Sequence, residues 1–197
     1  MAIIKPGFPF RGVVPVVADG AALVVQMKDV SADAGVNWQG LVRSELEGRK
    51  QPDWLQNGDI LVLIRGNHNF AICLEDVPVR AVCSPHFFML QVKAQANMIL
   101  PEFLAWQINQ RPAQNYFEQF AEGTLQRSIR RQVLERLPVV VPPLATQQTV
   151  VEMVRTAVRE KERLRALIAN RERQMLAVAG QVLNGRQERN ETWRTRQ

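Results

Sequence analysis

Between Val13 and Val92 the apolar residues come in short runs, VVPVV, ALVVQM, ILVLIRG, FAICL, VRAVC and HFFMLQV, parted by Gly, Pro, Asn and Asp. These runs are rich in β-branched or aromatic residues, and runs of this length bounded by turn formers predict strands. Together they read as a curled or barrel-like sheet. A polar stretch from about Asp29 to Asn57 breaks the series, with Gly35, Gly40 and Gly48 and two tryptophans, Trp38 and Trp54. A long polar loop that carries aromatics and is held by a sheet is a common place for a recognition surface.

The period then changes. Pro101 stands at a first-turn position ahead of EFLAWQINQ, where Phe103, Leu104 and Ile108 recur at helical spacing. Pro112 interrupts that helix, and a second, AQNYFEQFAE, is expected to end at Gly123. The segment GTLQRSIRRQVLERLPVVVPPL predicts a basic turn, a short helix and an apolar strand, closed by Pro142 and Pro143. From Ala145 to about Gly185 there is no proline and only Gly180 as an internal glycine. Val150, Val154, Ala157, Lys161, Leu164, Ile168, Arg171, Met175, Val178 and Val182 are spaced alternately by four and three, the spacing of a coiled-coil seam. One helix of roughly 40 residues would extend about 60 Å. A stripe that long outruns a domain of this size and predicts a partner helix.

The reading is therefore α+β: a β-rich domain with short helices over residues 1–144, one long helix over 145–185 forming an antiparallel coiled coil, and a polar tail over 186–197 expected to be disordered. At 197 residues with 46% hydrophobic content, the chain suffices for one substantial core and an appendage. Cys73 and Cys83 match neither a zinc knuckle nor a secreted disulfide scaffold, and read as buried reduced thiols. Pro6, Gly7 and Pro9 break the N-terminus before an apolar run can form, which argues against a signal peptide, and no stretch reaches the ~18 apolar residues of a membrane span. A cytoplasmic location is expected.

Charge sharpens the picture. The net charge is +6, but residues 1–110 hold 9 Lys/Arg against 10 Asp/Glu whereas residues 111–197 hold 16 against 9. The positive excess belongs to the C-terminal part and predicts an anionic partner.

Three segments, in this order, resemble the specificity subunit of type I restriction-modification enzymes. The first is LQNGDILVLIRG, with Leu55, Gly58, Asp59, Ile60, Leu61 and Arg65. The second is LPEFLAWQINQ followed by YFEQFAEGTLQRSI, similar to the family's helix pair leading into a glycine turn. The third and most specific is VLERLPVVVPPLATQQTVV: a short helix, an apolar strand, a double proline, then a glutamine at the start of a long helix. Members of that family carry two target-recognition domains and two long helices that pack antiparallel. This chain has one of each, so the resemblance implies a half-length form whose two-fold dimer rebuilds the arrangement and reads a bipartite, palindromic DNA site. It further implies a methyltransferase (modification) subunit as partner, with a restriction subunit where the system has one, and no cofactor, metal or catalysis in this chain.

Recognition needs cations for phosphates and planar forks for base edges. The cluster Gln126, Arg127, Ser128, Arg130 and Arg131 offers both after a glycine turn. Lys28, Arg43, Arg49 and Lys50 bracket the polar loop, and Arg65, Asn67, His68 and Asn69 form a hairpin-like tip. For each the alternative is an ordinary solvated surface residue. At the seam, Lys161 and Arg171 would meet as like charges in an antiparallel pair centred on Ala166, so a shifted register or side chains turned out toward Glu160, Glu162 and Glu172 are expected. Neither a methyltransferase glycine motif with its catalytic Pro-Pro-aromatic or Pro-Cys motif nor a phosphate-binding P-loop occurs. Two other readings stand beside DNA recognition. Pro52-Asp53 with Gln91-Val92-Lys93 resembles a Mg²⁺-dependent nuclease core, though a second well-placed carboxylate is missing. A coiled-coil adaptor without DNA contact would account for the helix but not for the charge.

Overall fold

The computed structural model describes residues 2–48, 51–66, 68–93, 98–120 and 128–194, with side chains to residue 183. The chain divides into two units, residues 1–151 and 152–197.

In the first unit a four-stranded antiparallel sheet has the order β1, β9, β6, β7, formed by β1 (Ala2–Pro6), β6 (Ile60–Leu63), β7 (Ala71–Cys73) and β9 (Phe87–Val92). A three-stranded sheet has the order β5, β2, β8, with β2 (Ala22–Val25) antiparallel to β5 (Val42–Ser44) and parallel to β8 (Ala81–Cys83). A small ribbon pairs β3 (Val30–Ser31) with β4 (Gly35–Val36).

The central strand β6 explains why its run has no polar alternation. Ile60 and Val62 face a core with Phe103, Leu104, Ile108 and Phe117, which belong to helices α1 (Pro101–Ile108) and α2 (Arg111–Phe120). Leu61 and Leu63 face the opposite way, with Phe87 and Met89, onto Val25, Ala81 and Cys83 of the smaller sheet. A strand buried on both faces reads as a continuous apolar run. The outer face of the smaller sheet is closed by Phe8 and Val14 over Ala22, Val24 and Val82.

Several sequence expectations shift. VVPVV is no strand: Pro15 cannot donate to a ladder, Val13 and Val16 are exposed, and the loop is held by Val14 in the core and by Val17 N–H donating to the Arg43 carbonyl at 2.9 Å. The N-terminal AIIKP, by contrast, is edge strand β1. The polar stretch contains β3, β4 and β5, and its tryptophans are committed inward: Trp38 packs beside Leu55 and Leu74, Trp54 beside Phe8 and Val14. Pro112 sits in the first turn of α2 rather than ending a helix, since a proline nitrogen there forfeits no intrahelical bond. The expected cap Gly123 lies outside the described residues. After the short helix α3 (Arg131–Glu135), Val139–Val141 pairs with no strand among the described residues, although Val139 and Val141 pack against the core.

Helix α4 spans Leu144–Arg194, 51 residues and roughly 75 Å at the usual rise per residue. It continues past Gly185, where the sequence pattern placed its end, because residues 186–194 contain no proline and are mostly Arg, Gln, Glu and Asn, which cost a helix little. Its root belongs to the first unit. Val151 is buried and Val150 packs against the core, so the first seam position serves the domain's own packing. Gln147 is wholly buried: its amide donates to the carbonyls of Met98 and Pro142 at 2.7 and 2.8 Å, and its Oε1 accepts from Leu100 N–H at 2.8 Å. Gln147→Leu strands three backbone groups and is expected to cost about 3 kcal/mol in urea unfolding. A loss below about 1 kcal/mol would show that the clamp contributes little to stability.

Candidate nucleic-acid interface

The two ends of the four-stranded sheet differ in charge. Where β6 begins and β7 ends, the chain carries Asp59, Glu75 and Asp76. Asp59 is buried, accepting from Gln56 N–H at 2.9 Å and from the Gln91 side-chain amide at 3.1 Å. Burial raises its carboxyl above the ordinary value, opposed by those two hydrogen bonds and the Lys5 charge. An acid whose folded pKa is raised contributes stability that is fully present below its unfolded value and lost as pH rises through the folded value. Wild type is therefore expected to lose urea stability over that window relative to Asp59→Asn; parallel pH profiles would contradict this.

The opposite end gathers four segments that are distant in sequence. Ile64 and Arg65 continue β6, where Arg65 bridges to Ser128 and the Ile64 carbonyl accepts from Ile129 N–H at 3.0 Å. Ile64 N–H in turn donates to the His86 carbonyl at 3.0 Å, bringing in the turn between β8 and β9. Asn109 exchanges two 2.7 Å hydrogen bonds with the backbone of Ala71, which fixes the end of α1 against the start of β7. The α1–α2 junction, with Arg111 exposed, thus lies by the β6–β7 hairpin. Residues 64–70, 84–87, 109–114 and 128–131 contain four arginines and two histidines but no Asp or Glu. Arg131 of these segments is paired with Glu135, and the other cations suit a phosphate backbone.

This arrangement joins the two predicted clusters, Arg65 with His68 and Asn69, and Ser128 with Arg130. Arg65, His68 and Arg130 are exposed. The Asn69 amide is turned back to the Leu63 carbonyl at 3.0 Å, where it closes the hairpin. Arg131 pairs with Glu135 at 2.7 Å and lines an apolar groove of about 590 Å³ beside β1, with Ile4, Leu104 and Ile108. Lys28, also exposed, follows Val25, whose carbonyl accepts from Ser84 N–H at 2.9 Å, so it leaves its strand beside the same turn. Arg43 sits on the smaller sheet, donating to the Gly20 carbonyl at 3.3 Å among Asp19, Glu45 and Glu47. Arg49, Lys50, Asn67, Gln126 and Arg127 lie outside the described residues. His86 and Arg111 are absent from the sequence-based candidates because nothing local marks them; sheet register and the Asn109 tether place them here.

The residues of the nuclease alternative serve other contacts. Asp53 forms an ion pair with Lys5 at 2.9 Å, and Gln91 donates to Asp59. Among the described residues no group of three or more His, Cys, Asp or Glu could hold a metal ion. Cys73 and Cys83 form no disulfide; Cys83 is buried and Cys73 partly so. No helix among the described residues is long and apolar enough to cross a membrane.

On α4, Leu164, Ile168, Met175, Val178 and Val182 of the seam are between 52% and 61% exposed, and Ala157, Lys161 and Arg171 are exposed as well. Val154 is partly buried. Leu176 and Leu183, at 73% and 63% exposure, widen the apolar stripe toward its C-terminal part.

No family model matches the chain, and no curated protein matches it in sequence. Among solved structures, the crystal structure of a type I restriction-modification system S subunit from M. genitalium is similar to it with a TM-score of 0.54 over 85% of this chain, at 13% identity. The match covers 39% of that protein, so this chain spans about two fifths of its length. The fold, an α+β domain followed by a long helix, is that of the S subunit, and the resemblance carried by the three sequence segments is matched by a resemblance of structure.

Proposed function

We propose, from the fold shared with that S subunit, that this chain is a non-catalytic DNA-recognition subunit working in the cytoplasm. It reads duplex DNA with residues 1–144 and directs a partner methyltransferase, and a translocating nuclease where the system has one, to a bipartite site. The observation that carries this reading is the end of the four-stranded sheet at which the segments bearing Arg65, Arg111 and Arg130 converge. Lys28, His68 and Ser128 belong to the same surface. Arg43 and Arg131, each holding a contact within the chain, are its least favoured members.

Helix α4 pairs antiparallel with the helix of a second copy along Val154, Ala157, Leu164, Ile168, Met175, Val178 and Val182, with Lys161 and Arg171 setting the register. The pairing holds two reading domains a fixed distance apart. Where Leu176 and Leu183 widen the stripe, a two-stranded seam leaves apolar surface over, which supports docking of a methyltransferase helix there.

Fluorescence anisotropy of the full chain on labelled duplex, repeated at rising salt, tests the reading. Binding that weakens steeply and log-linearly with salt is expected. No binding at low salt would leave the adaptor reading, and Mg²⁺-dependent cleavage would favour the nuclease.

A further inference from the structure

The turn joining the two sheets is held by three other segments. Ser84 N–H donates to the Val25 carbonyl of β2 at 2.9 Å, and Ile64 N–H at the end of β6 donates to the His86 carbonyl at 3.0 Å. Gly7 N–H and Phe8 N–H, continuing β1, donate to the carbonyls of Phe87 and Cys83 at 3.1 and 2.8 Å. Gly7 passes so close that a Cβ there would collide with the Ser84 carbonyl. A turn held in this way is the kind of support a reading side chain needs to discriminate between ligands.

His86 sits on that turn, partly exposed, at the same end of the four-stranded sheet as Arg65. Its Nδ1 lies 3.3 Å from the hydroxyl of Ser84, a residue only 2% exposed. Its Nε2 has no hydrogen-bond partner among the described residues. One ring nitrogen is thus occupied by a buried hydroxyl, which fixes the ring plane and leaves the other for a ligand.

We infer that His86 is a specificity-determining residue that contacts a base edge of the bound duplex through Nε2, with Ser84 as its positioning residue. The inference rests on the DNA-recognition reading above. In the tautomer whose Nδ1 accepts from the Ser84 hydroxyl, Nε2 is a donor matched to N7 and O6 of guanine in the major groove; in the other it is an acceptor matched to the exocyclic amine of adenine or cytosine. A phosphate contact would weaken binding to all sequences alike, whereas a base contact weakens it at one base pair in each half-site.

The test uses the full chain, a duplex recovered by selection with wild-type protein, and the set of its single-base-pair variants. For His86→Ala, the roughly tenfold preference of wild type at one base pair is expected to vanish while preferences elsewhere persist. Ser84→Ala is expected to weaken the same preference without removing it. Thermal melting identifies a variant that fails to fold; His86→Gln, which keeps a side-chain donor of similar reach, then replaces His86→Ala and is expected to alter preference at that base pair alone. Uniform weakening across the set, or unchanged preferences, would overturn the inference while leaving DNA recognition intact. Failure of the wild-type chain to enrich any sequence would remove both, and is read separately from the variants.

Discussion

Leu164→Glu combined with Ile168→Glu is expected to turn a dimer into a monomer in sedimentation equilibrium and to weaken binding to a two-part DNA site by about a hundredfold or more. Both side chains are 60% exposed on α4, so the single chain loses no packing of its own. Their apolar surface, with Met175, Val178 and Val182, is covered only when another helix lies against it. Carboxylates placed there would face each other across the seam and carry a desolvation penalty that the unpaired helix avoids. Once the two domains separate, each half-site is bound at its own affinity and the effective-concentration advantage of linkage disappears. A double variant that remains dimeric, or that binds the two-part site as tightly as wild type, would show that the stripe serves another purpose.

Arg65→Ala combined with Arg130→Ala is expected to lower DNA affinity by about a hundredfold at moderate salt and to make the slope of log affinity against log salt shallower by roughly 0.9 for each phosphate no longer neutralised. The pair is chosen for its geometry: Arg65 bridges to Ser128, two residues before Arg130, and the four converging segments around them contain no Asp or Glu. Melting of the variant beside wild type separates a loss of DNA contact from a loss of folding. The same experiment on Arg43→Ala, whose guanidinium rests on the Gly20 carbonyl among acidic neighbours, is expected to change the slope less. Unchanged affinity and slope in the double variant would move the interface elsewhere.

What the sequence made legible follows from how local each signal is. ILVLI announces a strand because β6 is covered on both faces and every position must be apolar. Pro101 and the apolar spacing after it mark α1, and the alternating four-and-three spacing marks α4, since both depend on residues within a few turns of one another. VVPVV has strand composition, but Pro15 interrupts it, and it is held by Val14 in the core and one Val17 N–H bond to the Arg43 carbonyl. Strand β1 was hidden because AIIK runs directly into Pro6 and Gly7 without alternation; its place is set by register against β9. The site shows the same divide. Residue type alone pointed to Arg65 and to Ser128 with Arg130, but their meeting depends on one β-bridge between distant segments. His86 and Arg111 carried no local signal: one is placed by a turn between two sheets, the other by the Asn109 contact with Ala71.

Paired reading domains are tested most directly by selection with the full chain from duplexes of random sequence, followed by sequencing of what is retained. Two identical half-sites, inverted about a gap of fixed length, are the expected result. Retained duplexes that share no motif would contradict it.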